Sequence, residues 1–151
     1  MNKALFSSKK MDWCTPQALF DALNAKYGFT LDAAATDKTA KCVDHYTPET
    51  DGLTSSWDTT GAVFCNPPYG REIGKWIRKA YEEAQKGGTI VLLIPARTDT
   101  TYFHDYIYKQ AEVQFLRGRI KFVDEDGNPH RDKNGRAVGA PFPSALVVYN
   151  G

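Results

Sequence analysis

The segment that most narrows the fold is Thr89 to Ile94, an unbroken run set between Gly87-Gly88 and Pro95. A run of that length without alternation has no polar face to turn to water, so it predicts a central parallel strand covered on both sides. The flanking segments supply the cover. Ile73, Trp76, Ile77, Ala80, Tyr81 and Ala84 share one face of a helix that Gly87-Gly88 stops. Upstream, Leu19, Phe20 and Leu23 form the stripe of a first helix, closed by Gly28, with Thr15 as its cap and Pro16 at its first position. Short buried strands are expected at Phe29 to Ala33 and Ala62 to Cys65. Between them, residues 34–60 read as loop with one short helix near Lys38. A helix over 99–109 should bury Phe103, Tyr106 and Ile107, followed by strands at 112–115, 119–123 and 144–149. Asp126-Gly127 and Asn134-Gly135 mark turns in a polar, hairpin-like excursion over 124–139. Strand, helix, strand, helix and then an antiparallel-looking end predict an α/β three-layer domain, with a mostly parallel sheet and helices on both faces.

The chain's 151 residues suit a single domain, 1–151, with 1–11 expected to be flexible. Net charge is +1, so any nucleic-acid surface has to be local. Neither signal nor spanning segment is apparent, and a cytoplasmic protein without membrane or metal is expected. Cys14, Cys42 and Cys65 are odd in number and widely spaced, which argues against a disulfide framework. Cys42 and His45 have a ligand-like spacing, but no second pair completes a zinc set.

In open α/β sheets ligands bind beyond the carboxyl ends of the strands. Asp32, Asn66 and Pro95-Ala96-Arg97 are all expected there. Asn66-Pro67-Pro68-Tyr69 runs from a strand toward a helix and has a chemical reading. An aromatic amine is a poor nucleophile because its lone pair is delocalised into the ring. Two acceptors that hold both amino hydrogens favour a tetrahedral, reactive nitrogen. Asn66 offers an amide oxygen. Pro67 offers a carbonyl, and the two prolines fix its direction. Tyr69 offers a face on which an extruded base can stack, a contact typically worth roughly 1–3 kcal/mol. The same composition also suits a tight turn with no chemistry.

The order Asp12-Trp13-x-Thr15-Pro16, Leu31-Asp32-Ala33-Ala34, then Asn66 to Tyr69 resembles the amino-methyltransferases of DNA. More narrowly, the chain resembles the small phage-type DNA adenine methyltransferase (Dam) family over about 12–149. Asp51-Gly52-Leu53, Trp57, 93–98, Arg117-Gly118-Arg119 and Pro141-Phe142-Pro143-Ser144 extend the match. The resemblance implies an abbreviated Rossmann-like fold that uses S-adenosylmethionine to methylate the adenine N6 amino group in double-stranded DNA. It implies a catalytic Asn66, Pro67, Pro68 and Tyr69. It also implies a cofactor site of Trp13, Thr15, Pro16, Asp32, Ala33 and Asp58, with Asp51 competing for the part of Asp58. Where most methyltransferases carry a glycine-rich turn, this chain has Ala33-Ala34-Ala35, and the interval from Asp32 to Asn66 is short.

Arg97, Arg117, Arg119, Lys121, Arg131, Lys133 and Arg136 form a local basic set. Of these, Arg97, Arg119, Lys121, Arg131, Lys133 and Arg136 are the candidates for DNA contact. Acids in the excursion dilute its charge, so a merely solvated hairpin is the competing reading. Ser144 is expected near the substrate pocket or at a sheet edge. Rival functions are methylation of a protein glutamine or of RNA adenine, and a non-catalytic nucleic-acid-binding module.

Overall fold

The computed structural model describes residues 13–150. The expectation of a flexible 1–11 lies outside the described residues. Helix α1 (Gln17–Tyr27) buries Phe20 and Leu23 and ends at Gly28, which takes the left-handed φ of 69°. Its start differs from expectation. Pro16 is the cap residue itself and has no side-chain oxygen to cap the helix; the Thr15 hydroxyl, one residue earlier, accepts from Asn66 instead. Strands β1 (Phe29–Asp32) and β2 (Ala62–Cys65) follow, then helix α2 (Ile73–Ala84) and strand β3 (Thr89–Pro95). A π-helical turn (Phe103–Ile107), β4 (Glu112–Phe115) and β5 (Ser144–Asn150) complete the order.

The five strands form one sheet in the order β1-β2-β3-β5-β4. The expectation of a mostly parallel sheet is corrected: the sheet is mixed. β1 pairs with β2 and β2 with β3 in parallel, whereas β5 enters reversed and pairs antiparallel with both β3 and β4. β3 is the middle strand, as its apolar run requires, and Ile90 to Pro95 are all buried. Side chains alternate between two cores. Leu31, Val63, Cys65, Leu92 and Val147 meet α2 on one face, whereas Phe29, Phe64, Val91, Leu93 and Leu146 meet α1 and Phe122 on the other.

Three further segments depart from expectation. Residues 119–123 are not a strand. Only Val123 pairs, with Cys14 and with Pro129, because this segment turns inward to bury Phe122 against Trp13, Tyr69 and Phe142. The helix expected over 99–109 contracts to the π-helical turn, in which Tyr108 N–H donates to the Phe103 carbonyl and Phe103 and Ile107 are both buried. No helix forms near Lys38. Instead Thr36 and Thr39 exchange hydroxyl and amide hydrogen bonds across a tight turn, and Thr47 and Thr50 repeat the device.

The loop from Asp51 is fastened to α2 from outside the sheet. Glu83 accepts from the Trp57 amide at 2.8 Å and from Lys79 and Lys86. The Trp57 indole in turn donates to the Gly52 carbonyl. Gly52 has no room for a side chain: a Cβ would lie 2.2 Å from the Ala33 carbonyl oxygen and 2.9 Å from the Trp76 ring.

Candidate active site

β1, β2 and β3 point the same way, so Asp32, Asn66 and Pro95 all stand at one end of the sheet. A cavity of about 430 Å³ opens there. Trp13, Thr15, Asp32, Asn66, Pro67 and Pro68 line it, so six of the residues singled out from the sequence are brought together. Asp51, Gly52, Leu53 and Trp76 line it too. Trp76 was legible only as part of a helical stripe, and Gly52 only within the Asp51-Gly52-Leu53 match.

Asn66 is held by its nitrogen. Nδ2 donates to the Trp13 carbonyl at 2.8 Å and to Thr15 Oγ1 at 3.1 Å. A carbonyl only accepts, so the amide is fixed with its NH2 toward Trp13. Oδ1 must then face the other way, and it is buried without a hydrogen-bond partner among the described residues. A buried acceptor left unmatched typically costs roughly 1–3 kcal/mol, so this atom is primed to take a donor from outside the chain.

The 13–15 segment is itself anchored. Cys14 and Val123 exchange both backbone hydrogen bonds at 3.0 Å. The Trp13 ring packs edge-on to Phe122 and Phe142, with centroids 5.7 and 5.4 Å apart. Tyr69 joins this aromatic group instead of the cavity lining. Its ring lies edge-on to Phe142 at 5.6 Å, and its hydroxyl donates to the Leu93 carbonyl at 3.1 Å. Burial pushes the Tyr69 phenol well above its usual pKa, so it stays a donor. Phe122 and Phe142 carried no site signal of their own in the sequence; their role emerges only from this packing.

Asp32 ends β1 with only 3% of its surface exposed. Oδ2 accepts from the Lys41 amide at 2.9 Å and Oδ1 from the Ala34 amide at 3.3 Å, which folds 34–41 back over the strand end. Burial raises the carboxyl to about 6, against the lowering effect of those two amides and of His45 and Lys41. Backbone bonds from Asp32 to Asp44 and Tyr46 add a parallel stub outside β1. His45 is occupied as well: Nε2 lies 2.8 Å from Asp37 and Nδ1 lies against the carbonyls of Cys42 and Val43. No group of three metal-ligating side chains occurs among the described residues.

Other expected site residues lie apart. Asp58 is exposed beyond the amino end of β2 and borders a separate depression, so it cannot reach this cavity. Asp51 takes the position instead, with its carboxylate accepting from the Leu53 amide at 3.0 Å. Ala33 is fully buried, with its amide donating to the Phe64 carbonyl, and it does not line the cavity. Pro16 adjoins the cavity through Thr15 without lining it.

Arg97, Arg119, Lys121, Arg131, Lys133 and Arg136 are all exposed. Arg119 donates to the Ala140 carbonyl and Arg131 to the Gly135 carbonyl. The excursion is two tight turns in succession, not one hairpin. Asp124 accepts the amides of Asp126 and Asn128, and Asp132 accepts those of Asn134 and Arg136. No helix among the described residues is long and apolar enough to cross a membrane.

Comparison with known proteins agrees with this geometry. Residues 3–140 match the family described as DNA N-6-adenine-methyltransferase (Dam). A DNA N-6-adenine-methyltransferase of Escherichia phage T1 is 32% identical over 119 residues, covering 78% of this chain and 49% of the phage protein. A protein of the same description from Haemophilus phage HP1 (strain HP1c1) is 25% identical over 151 residues, covering 95% of this chain and 82% of its own length. The chain thus spans about half the length of the first relative and most of the second. With 138 consecutive positions within the match, the chain belongs to the DNA N-6-adenine-methyltransferase (Dam) family.

Proposed function

We propose that this chain transfers a methyl group to the exocyclic N6 amino group of adenine in double-stranded DNA, with S-adenosylmethionine as donor. The observation that carries the reading is the unpartnered Asn66 Oδ1, held outward by two bonds at the opposite end of its amide. The lining suits the cofactor: carboxylates of Asp32, Asp51 and Glu72 outnumber the single lysine, Lys41, as a ligand carrying sulfonium and ammonium groups requires. Trp13, Leu53 and Trp76 offer apolar surface for its adenine ring. When bound, the cofactor supplies a methyl group that is already activated as a sulfonium.

The chain's contribution is then to prepare the amine. Asn66 Oδ1 accepts one amino hydrogen and the Pro67 carbonyl the other, which localises the nitrogen lone pair toward the methyl group. The extruded base lies against the aromatic group around Tyr69, whose fixed ring costs little to order. Holding the reactants in line supplies the larger part of the rate. Exposed Arg97, Arg119, Lys121, Arg131, Lys133 and Arg136 hold phosphates of the duplex.

The test is incubation with labelled S-adenosylmethionine and unmethylated duplex DNA, followed by nucleoside analysis. Label in N6-methyladenine is the expected result. Label in cytosine, in RNA only or in protein overturns the assignment.

A further inference from the structure

We infer that Thr15 is a positioning residue for the catalytic amide and not primarily a cofactor ligand. The inference rests on the proposed role of Asn66 and deepens it. Thr15 is only 3% exposed, and its hydroxyl oxygen accepts from Asn66 Nδ2 at 3.1 Å. The same nitrogen donates its other hydrogen to the Trp13 carbonyl at 2.8 Å. Both hydrogens of the amide are therefore committed, and both acceptors come from one short stretch preceding α1.

The geometry matters because an asparagine side chain turns easily about its last bond. With a single acceptor the amide keeps its hydrogen bond while swinging, and Oδ1 sweeps an arc. With two acceptors on different sides, the amide plane is set and Oδ1 has one direction. Thr15 also explains why Oδ1 is left unsatisfied: its hydroxyl takes the nitrogen side, so nothing among the described residues competes for the oxygen. The helix makes no competing claim on this hydroxyl: its cap position is held by Pro16, one residue on, and no side chain caps it.

The clamp is fixed from behind. Cys14, between the two acceptors, exchanges both backbone bonds with Val123, and the Trp13 ring is packed by Phe122 and Phe142. The segment that aims Asn66 is thus tied to the residue from which the 124–139 excursion departs.

Three enzymes decide the matter: wild type, Thr15→Val, which keeps the shape and removes the acceptor, and Thr15→Ser, which restores it. Methyl transfer by the wild type to unmethylated duplex DNA is the control, and its absence refutes the parent reading of Asn66 instead of this one. Given an active wild type, kcat of Thr15→Val should fall roughly tenfold, the size of one lost neutral hydrogen bond. Its dissociation constant for S-adenosylmethionine should stay within about twofold, and Thr15→Ser should recover kcat to within about threefold. A weakened cofactor affinity that accounts for the whole loss overturns the inference, as does a valine variant with wild-type kcat. Should the valine variant not fold, the side-chain amide hydrogens of Asn66 in the wild type are read by nuclear magnetic resonance. Two slowly exchanging hydrogens support the clamp, and exchange as fast as a solvent amide overturns it.

Discussion

The carboxyl end of the sheet and the 124–139 excursion both depend on side chains bonding to backbone, but over different distances along the chain. Asn66 is held by residues 53 and 51 positions away. In the excursion Asp124 and Asp132 accept from amides two and four positions away, and Arg131 donates to a carbonyl four positions away. Long-range bonds fix the site only if the whole sheet is assembled. Short-range bonds let the excursion keep its shape through its own turn chemistry. The site should therefore respond to any change that loosens the fold, while the excursion tolerates substitution and alters only what it touches.

The sharpest way to separate the two regions is Asn66→Ala, which should lower kcat by roughly 10²–10³-fold, as expected for a polar group that acts only in the transition state. Cofactor affinity should remain within a few-fold by calorimetric titration. Wild-type turnover in this variant breaks the catalytic half of the comparison.

Next comes Gly52→Ala, on the cavity wall. Its new methyl group meets backbone at 2.2 Å and the Trp76 ring at 2.9 Å, so neither neighbour gives way cheaply. A loss of about 2–3 kcal/mol in denaturant unfolding is expected, with cofactor binding weakened alongside. By contrast Gly127→Ala, at φ +85° in the excursion with open space around it, should cost about 1 kcal/mol or less and leave the cofactor site unaffected.

Replacing Arg131, Lys133 and Arg136 together should weaken binding to all duplexes alike. The slope of log affinity against log salt should shrink by roughly 3 if each side chain holds one phosphate. A loss confined to one target sequence would instead assign base reading to the excursion, at about 1–3 kcal/mol per bidentate contact. Filter binding across salt concentrations on specific and random duplexes distinguishes these. Unchanged binding at every salt makes the excursion a bystander.

The smallest effect is in pH. Burial raises the Asp32 carboxyl from its ordinary 3.8 to about 6, so the fold favours its protonated form. Its contribution to the stability of the unliganded chain is full below pH 3.8 and is lost as pH rises through about 6. A cationic ligand reverses the sign, because only the ionised carboxylate attracts it. Affinity for S-adenosylmethionine should therefore drop, by about tenfold at most, as pH falls from 7 to 5. Asp32→Asn should abolish that dependence, and calorimetry at the two pH values measures both.

Much of this was legible in the sequence, for a physical reason that varies by segment. The run at 89–94, the stripe of α2 and the Gly28 stop depend on burial and backbone freedom encoded within a few residues, and each element formed within a residue or two of its expected limits. Asn66 to Tyr69 was marked by its own composition at a strand end. Edges were not legible. An antiparallel-looking end was expected, but the insertion of β5 between β3 and β4 leaves no local trace, because antiparallel and parallel strands buried on both sides carry the same apolar residues. The segment 119–123 has strand-like composition, yet the aromatic pocket offered Phe122 more burial than a sheet edge would.

By itself the sequence determined the α/β class, the end of the sheet at which the cavity opens, and the asparagine that stands there. Tertiary structure alone decided that Asp51 and not Asp58 reaches the cavity, and that Tyr69 joins Phe122 and Phe142. It alone decided that Thr15 stands one residue before the cap position and holds Asn66. Residue type states which bonds a side chain is able to make. Which of them it makes depends on what the rest of the chain brings within about 3 Å, and that is settled only when strands far apart in sequence lie side by side.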